Sequence, residues 1–251
     1  VNITLTIDRD IQYYIEEALK ETYEKYQPAG AAAIAMDPKT GEILGMASLP
    51  TYDPNRYWEA DPAAFRNNAI QSLYEPGSTF KIVTLAGAVE EGLFDPEEIY
   101  KSGSIRVANY TIRDHNNGAG WGEITYLEGL KRSSNVAFVK LGYEKLGADK
   151  LLEYIKAFGF GNRTGIELPA EEAGAVTIRK QYATEVATAA FGQGRLQVTA
   201  IQQLAAVAAI ANDGKLMKPY LVKSVTDPQT GSTVHTEPTV VRQVISAESS
   251  R

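Results

Sequence analysis

Polar and apolar positions along the chain switch between a helical and a strand period. Ile11, Ile15, Ala18 and Leu19 recur at helical spacing behind Asp8, a residue type suited to capping a helix N-terminus. They predict a first helix to about Tyr26, ended by Pro28 and Gly30. Two apolar runs follow, Ala31 to Met36 and Glu42 to Ser48, joined by Asp37-Pro38-Lys39-Thr40-Gly41. Runs of this length around a turn rich in Pro and Gly predict a β-hairpin. Its small residues (Ala31, Ala32, Ala33, Gly45, Ala47) predict close helix packing. Leu49 to Asn68 carries Pro50, Pro54 and Pro62 and reads as loop.

Further along, the segment from Ser78 to Glu91 is apolar on nearly every side and predicts a central, buried helix closed by Gly92. Tyr100 to Gly122 reads as short strands and loops. Thr125 and Glu128 match a capping box that opens a short helix to about Arg132. Asn135 to Leu146 and Ala148 to Phe158 predict two more helices, and Gly159 to Thr184 reads as mostly loop. Thr199 caps a long apolar helix to about Asn212, and a hairpin of Tyr220 to Val225 and Thr233 to His235 closes the pattern. There is no repeat and no low-complexity linker. The pattern predicts one mixed domain in which helices dominate.

Composition narrows the chemistry. The 251 residues are 44% apolar and 22% charged, an ordinary globular balance. With 25 Lys+Arg against 31 Asp+Glu, the net charge is −6, so no general electrostatic attraction draws the chain to nucleic acid. Cysteine is absent, which excludes disulfides, thiolate catalysis and Cys-ligated zinc. His115 and His235, the two histidines, lie far apart and in no metal-ligand spacing, and nothing nearby recommends either for a Ser-His-Asp triad. No run of about 18 apolar residues exists, so nothing in this sequence reads as a membrane span. The first residue is Val1, and the sequence reads as a piece of a longer protein.

Two short segments carry candidate chemistry. Glu75-Pro76-Gly77-Ser78-Thr79-Phe80-Lys81 places a serine at a helix start and a lysine three residues on, on the same helical face. Ser78 is then a candidate nucleophile beside Lys81 as its base. Phe80, Ile82, Val83 and Leu85 enclose Lys81, and burial lowers a lysine pKa, as does the positive end of the helix. The helix start also offers backbone N–H groups for an oxyanion. The bland alternative is an exposed helix start with a solvated lysine. The second segment is Arg132-Ser133-Ser134-Asn135, between two predicted helices. Polar loop residues are normally caps or turns, yet a hydroxyl and a carboxamide together can relay a proton and hold a substrate amide.

In combination these segments match the S-x-x-K and S-x-N elements of penicillin-binding proteins and serine β-lactamases. The chain resembles the transpeptidase domain of a class B, monofunctional penicillin-binding protein. The resemblance runs through Leu5-Thr6-Ile7-Asp8, Ala35-Met36-Asp37-Pro38 to Ala47-Ser48, Tyr74 to Lys81, Ser133 to Ala137, Thr164-Gly165-Ile166-Glu167-Leu168-Pro169 and Phe191-Gly192-Gln193-Gly194. It is nearest the division or sporulation branch of Gram-positive bacteria.

The resemblance implies an α+β fold of the penicillin-binding protein and serine β-lactamase type, an antiparallel sheet flanked by helices. It implies Ser78 as the acylated nucleophile, Lys81 as base, Ser133 as proton relay and Asn135 as binder of the substrate amide, with no metal or organic cofactor. Phe191 to Gly194 would line the cleft, or form a plain glycine-rich turn. The implied substrates are peptidoglycan stem peptides ending in D-Ala-D-Ala, and β-lactams acylate the same serine. Membrane-bound division or sporulation proteins are implied as partners, at the extracytoplasmic face of the bacterial membrane. The alternatives are a serine β-lactamase, with Glu167, Glu171 or Glu172 activating water, and a non-catalytic sensor or scaffold. The family's third motif, Lys-Thr-Gly, occurs here only as Lys39-Thr40-Gly41 in the hairpin turn, before the serine. The expectation is an incomplete transpeptidase domain over residues 1–251 whose C-terminal strands lie beyond Arg251. Alone it is expected to be a poor enzyme.

Overall fold

The computed structural model describes residues 1–251. The first helix spans Arg9–Tyr26. Asp8 caps it, its Oδ1 accepting from the Asp10 and Ile11 N–H groups at 2.9 and 3.0 Å. It lies on the antiparallel hairpin of Ala31–Met36 and Ile43–Leu49. The small residues explain the approach: a Cβ on Gly45 would stand 2.8 Å from Ile15 Cδ1. Gln12 stitches the two layers, its side-chain amide donating to Met46 O and accepting from Met46 N–H, both at 2.8 Å.

Lys39, Thr40 and Gly41 lie in the hairpin turn, where Lys39 N–H donates to Asp37 Oδ1 and Gly41 takes φ +85°. That tripeptide is turn architecture, as its position in the sequence implies. The strand Ala31–Met36 pairs along one edge only. An open groove of about 800 Å³, lined among others by Ala31, Ala32, Ser72 and Tyr74, borders it.

The remaining strands form small antiparallel sheets. Asn2–Leu5 pairs with Val222–Thr226, which pairs in turn with Thr233–His235. Lys215–Met217 pairs with Val240–Gln243, and Ser104–Val107 with Tyr110–Arg113. The fold is thus mixed α/β with antiparallel pairing and a helical core.

That core surrounds the helix Lys81–Glu90, whose Val83, Thr84, Ala86, Gly87 and Ala88 are buried. Against it pack the helix Asn135–Val139 with its continuation Lys140–Leu146, which widens into a π-helix, then Gly147–Ala157 and Ala200–Ala211. Close packing again needs a glycine: a Cβ on Gly87 would meet the Tyr154 ring at 2.8 Å. The helix Ala200–Ala211 opens with a full capping box between Thr199 and Gln202. At Thr125 only half of the expected box forms. Its Oγ1 accepts from Glu128 N–H at 3.2 Å, but the Glu128 carboxylate turns instead to Arg132.

The sequence pattern does not show the helix Ala183–Ala189, nor the short helical turns Pro54–Glu59 and Pro62–Phe65 in the expected loop, Asn68–Gln71 and Ala247–Ser250.

Candidate active site

Ser78 sits in a 3₁₀ turn, Gly77–Phe80, that leads directly into the helix Lys81–Glu90. The turn is braced from three sides. Thr79 Oγ1 donates to Pro76 O at 2.7 Å. Gln203, from the helix Ala200–Ala211, donates its amide to Thr79 O at 2.9 Å. Gly192 O accepts from Gly77 N–H at 2.9 Å. The Phe191–Gly194 segment is therefore a glycine turn, with positive φ at Gly192 and Gly194, and it also abuts the turn that carries the serine.

Ser78 is exposed at this turn, while Lys81, one helical turn on, is 4% exposed. Lys81 reaches the loop before the helix Asn135–Val139. Its Nζ donates to Ser133 O at 2.7 Å, Ser133 Oγ at 3.0 Å and Asn135 Oδ1 at 2.8 Å. The Phe138 ring lies 5.3 Å from the same nitrogen.

The structure thus brings Lys81, Ser133 and Asn135 into one cluster, with the exposed Ser78 one helical turn before Lys81. Three acceptors match the three N–H bonds of an ammonium, so none of them is directed at Ser78. This is the resting geometry of a protonated lysine. Burial nevertheless pushes the Lys81 amine down from near 10.5 to about 8, against the pull of the Asp114 charge. At neutral pH about one molecule in ten then carries the free amine, and a lone pair becomes available once a proton leaves.

The Ser133–Asn135 loop is held in an unusual conformation. Ser133 has φ +53°, in the left-handed region that residues with a Cβ enter at a cost. Ser134 caps the following helix through Ala137 N–H at 3.2 Å and is completely buried. Asn135 Nδ2 donates to Arg113 O at 2.9 Å, which fixes its amide so that Oδ1 faces Lys81.

The sequence reading missed Asp114, which accepts from Ser134 Oγ at 2.8 Å, and Gln203 behind Thr79. Asp114 opens an Asp-His-Asn-Asn-Gly run that has only turn character, so no local signal marks it.

Two of the three glutamates offered as water activators, Glu171 and Glu167, are engaged elsewhere, and Glu172 is exposed. Both Glu171 oxygens serve the loop at Thr164 and Gly165, accepting from Thr164 N–H at 2.6 Å and Gly165 N–H at 3.0 Å. Glu167 accepts from Leu221 N–H at 3.0 Å. Neither histidine bonds to Lys81, Ser133 or Asn135: His115 Nε2 contacts Arg132 O at 3.0 Å beside the Ser133 loop, and His235 is exposed in a strand.

The family model of the penicillin-binding protein transpeptidase domain matches residues 31–251. The chain belongs to that family. It is 45% identical over 256 residues to stage V sporulation protein D of Bacillus subtilis, covering 100% of this chain and 39% of that protein. It is 35% identical over 254 residues to penicillin-binding protein PbpB of Mycolicibacterium smegmatis, covering 99% of this chain and 38% of that one. Among solved structures, penicillin-binding protein 3 of Mycobacterium tuberculosis in complex with ampicillin superposes with a TM-score of 0.90 at 32% identity, over 99% of this chain and 55% of that one. The chain therefore spans well under half the length of these two sequence relatives.

Proposed function

We propose that residues 1–251 form the acylating portion of a peptidoglycan D,D-transpeptidase domain. The reading is carried by the convergence of Lys81, Ser133 and Asn135 one helical turn from an exposed Ser78. Free Lys81 amine takes the Ser78 proton as Oγ attacks the carbonyl of the penultimate D-Ala in a stem peptide ending D-Ala-D-Ala. The tetrahedral intermediate collapses to an ester on Ser78. The departing D-Ala amine receives the proton from Lys81, relayed by Ser133. An amine of a second stem peptide then attacks the ester and restores Ser78, so bonds and protons balance without a cofactor. Asn135 orients the substrate amide.

A β-lactam presents a reactive amide to the same serine, and the relative solved with ampicillin supports β-lactams as ligands. A further relative, peptidoglycan D,D-transpeptidase PbpA of Mycolicibacterium smegmatis, is 31% identical over 98% of this chain and 53% of that protein, and its name supports peptidoglycan as the substrate. The name of stage V sporulation protein D supports a role in sporulation; membrane-bound division or sporulation proteins at the extracytoplasmic face of the cell membrane are the partners of this proposal. The commitment of Glu171 to its own loop favours the transpeptidase over a β-lactamase.

The test is covalent labelling of the full-length protein by fluorescent penicillin. Labelling is expected in the wild type and absent in Ser78→Ala. A Ser78→Ala protein that still labels would refute the assignment of the nucleophile.

A further inference from the structure

Behind the Ser133–Asn135 loop lies a carboxylate with no part in the chemistry above. Asp114 is 2% exposed and follows the strand Tyr110–Arg113. Its Oδ1 accepts from Ser134 Oγ at 2.8 Å and Val136 N–H at 3.0 Å, and its Oδ2 accepts from Gly103 N–H at 2.7 Å. Its own N–H donates to Gly103 O at 2.9 Å. One side chain so ties the strand end, the turn at Gly103 and the start of the helix Asn135–Val139. All its hydrogen-bond donors are neutral. A buried carboxylate without a paired cation is costly to keep, so a site that retains one invites a functional account.

Asp114 and Lys81 grip the same tripeptide from opposite sides. Lys81 binds Ser133 and Asn135, and Asp114 binds Ser134 between them. The two-sided grip offsets the cost of the left-handed Ser133 backbone.

We propose that Asp114 is a positioning residue of this site: its carboxylate holds Ser134 so that Ser133 and Asn135 present their oxygens to Lys81. The inference rests on Lys81 acting as the base.

Asp114 is the acidic group that acts on Lys81. The other faces of Lys81 meet neutral oxygens and the Phe138 ring. The buried Tyr100 hydroxyl lies close to Ser134 and Asp114. Arg113 and His115 flank Asp114 in sequence and are exposed. Arg132, near His115, is paired with Glu128. The direction of the effect follows. A negative charge favours the ammonium, so removing it lets Lys81 lose its proton at lower pH.

The experiment compares full-length wild type with Asp114→Asn and Ser134→Ala. The Lys81 titration midpoint is read by NMR of 13Cε-labelled lysine, with Lys81→Met assigning the signal. The acylation rate by fluorescent penicillin is followed across pH. Asp114→Asn is expected to lower the midpoint by about half a unit or more and to move the acid limb of the rate profile equally. Its plateau rate should fall at least about tenfold, because an amide nitrogen meets the Gly103 N–H and the loop loosens. Ser134→Ala should lose rate with the midpoint in place, since the charge remains.

An Asp114→Asn protein with slow acylation but an unmoved or raised midpoint would reduce Asp114 to packing support and overturn the inference. If Asp114→Asn does not fold, Asp114→Glu keeps the charge and is expected to retain the wild-type midpoint with a lower rate; a lowered midpoint there counts against the proposal. Absence of labelling in the wild type would sink the transpeptidase reading, whereas the NMR midpoint decides the role of Asp114 without any turnover.

Discussion

At the scale of single residues, Lys81 illustrates how one group serves two demands. Its resting contacts are those of an ammonium, while burial holds its amine down to about 8. If the free amine is the base, acylation should rise about tenfold per pH unit below that value and level off above it. A pH series of penicillin labelling rates checks this. Lys81→Arg should be inactive at every pH, because a guanidinium does not give up its proton in this range. Ser133 makes a second case. Ser133→Gly and Ser133→Ala both lose the hydroxyl and should both acylate slowly. Only glycine suits the positive φ, so the Gly protein should be about 1 kcal/mol more stable than the Ala protein by denaturant melts.

At the scale of elements, the nucleophile turn is placed by its neighbours more than by its own sequence. The Phe191–Gly194 turn meets it so closely that a Cβ on Gly192 would stand 2.3 Å from Gly77 O, at a backbone φ of +78°. Gly192→Ala should therefore cost more than about 2 kcal/mol of stability and displace Ser78. The acylation rate of whatever protein folds should fall as well, as stopped-flow labelling would show. Equal melting and equal labelling would mean that the two turns part without consequence. The helix Ala183–Ala189 shows the same dependence on context. It has seven residues and no side-chain cap, and it buries Val186, Ala187 and Ala189. Glu185 ties it down through Arg179 and Arg195. Helices this short are marginal without such packing.

On the scale of the whole molecule, the helical core holds the Ser78 turn and the Ser133 loop on adjacent helices, so the site is a property of their packing. The net charge of −6 bears on what the molecule meets. It should pass through a heparin or DNA column at about 0.15 M salt without retention. Retention that fades with added salt would reveal a local basic surface that outweighs the overall balance.

Local order was legible in the residues themselves. The Asp8 cap, the hairpin around Asp37 to Gly41, the Thr199 cap and the one-turn spacing of Ser78 and Lys81 all depend on neighbours within a few positions. Caps, turns and helical faces are short-range interactions, and a chain carries them wherever it folds. Tertiary structure alone decided where the Lys81 protons point, because their acceptors lie 52 and 54 residues away. It alone set a carboxylate behind Ser134 and a glycine turn against Gly77. Such contacts join segments whose meeting is fixed by burial of the shared core, and no pattern within either segment encodes its partner.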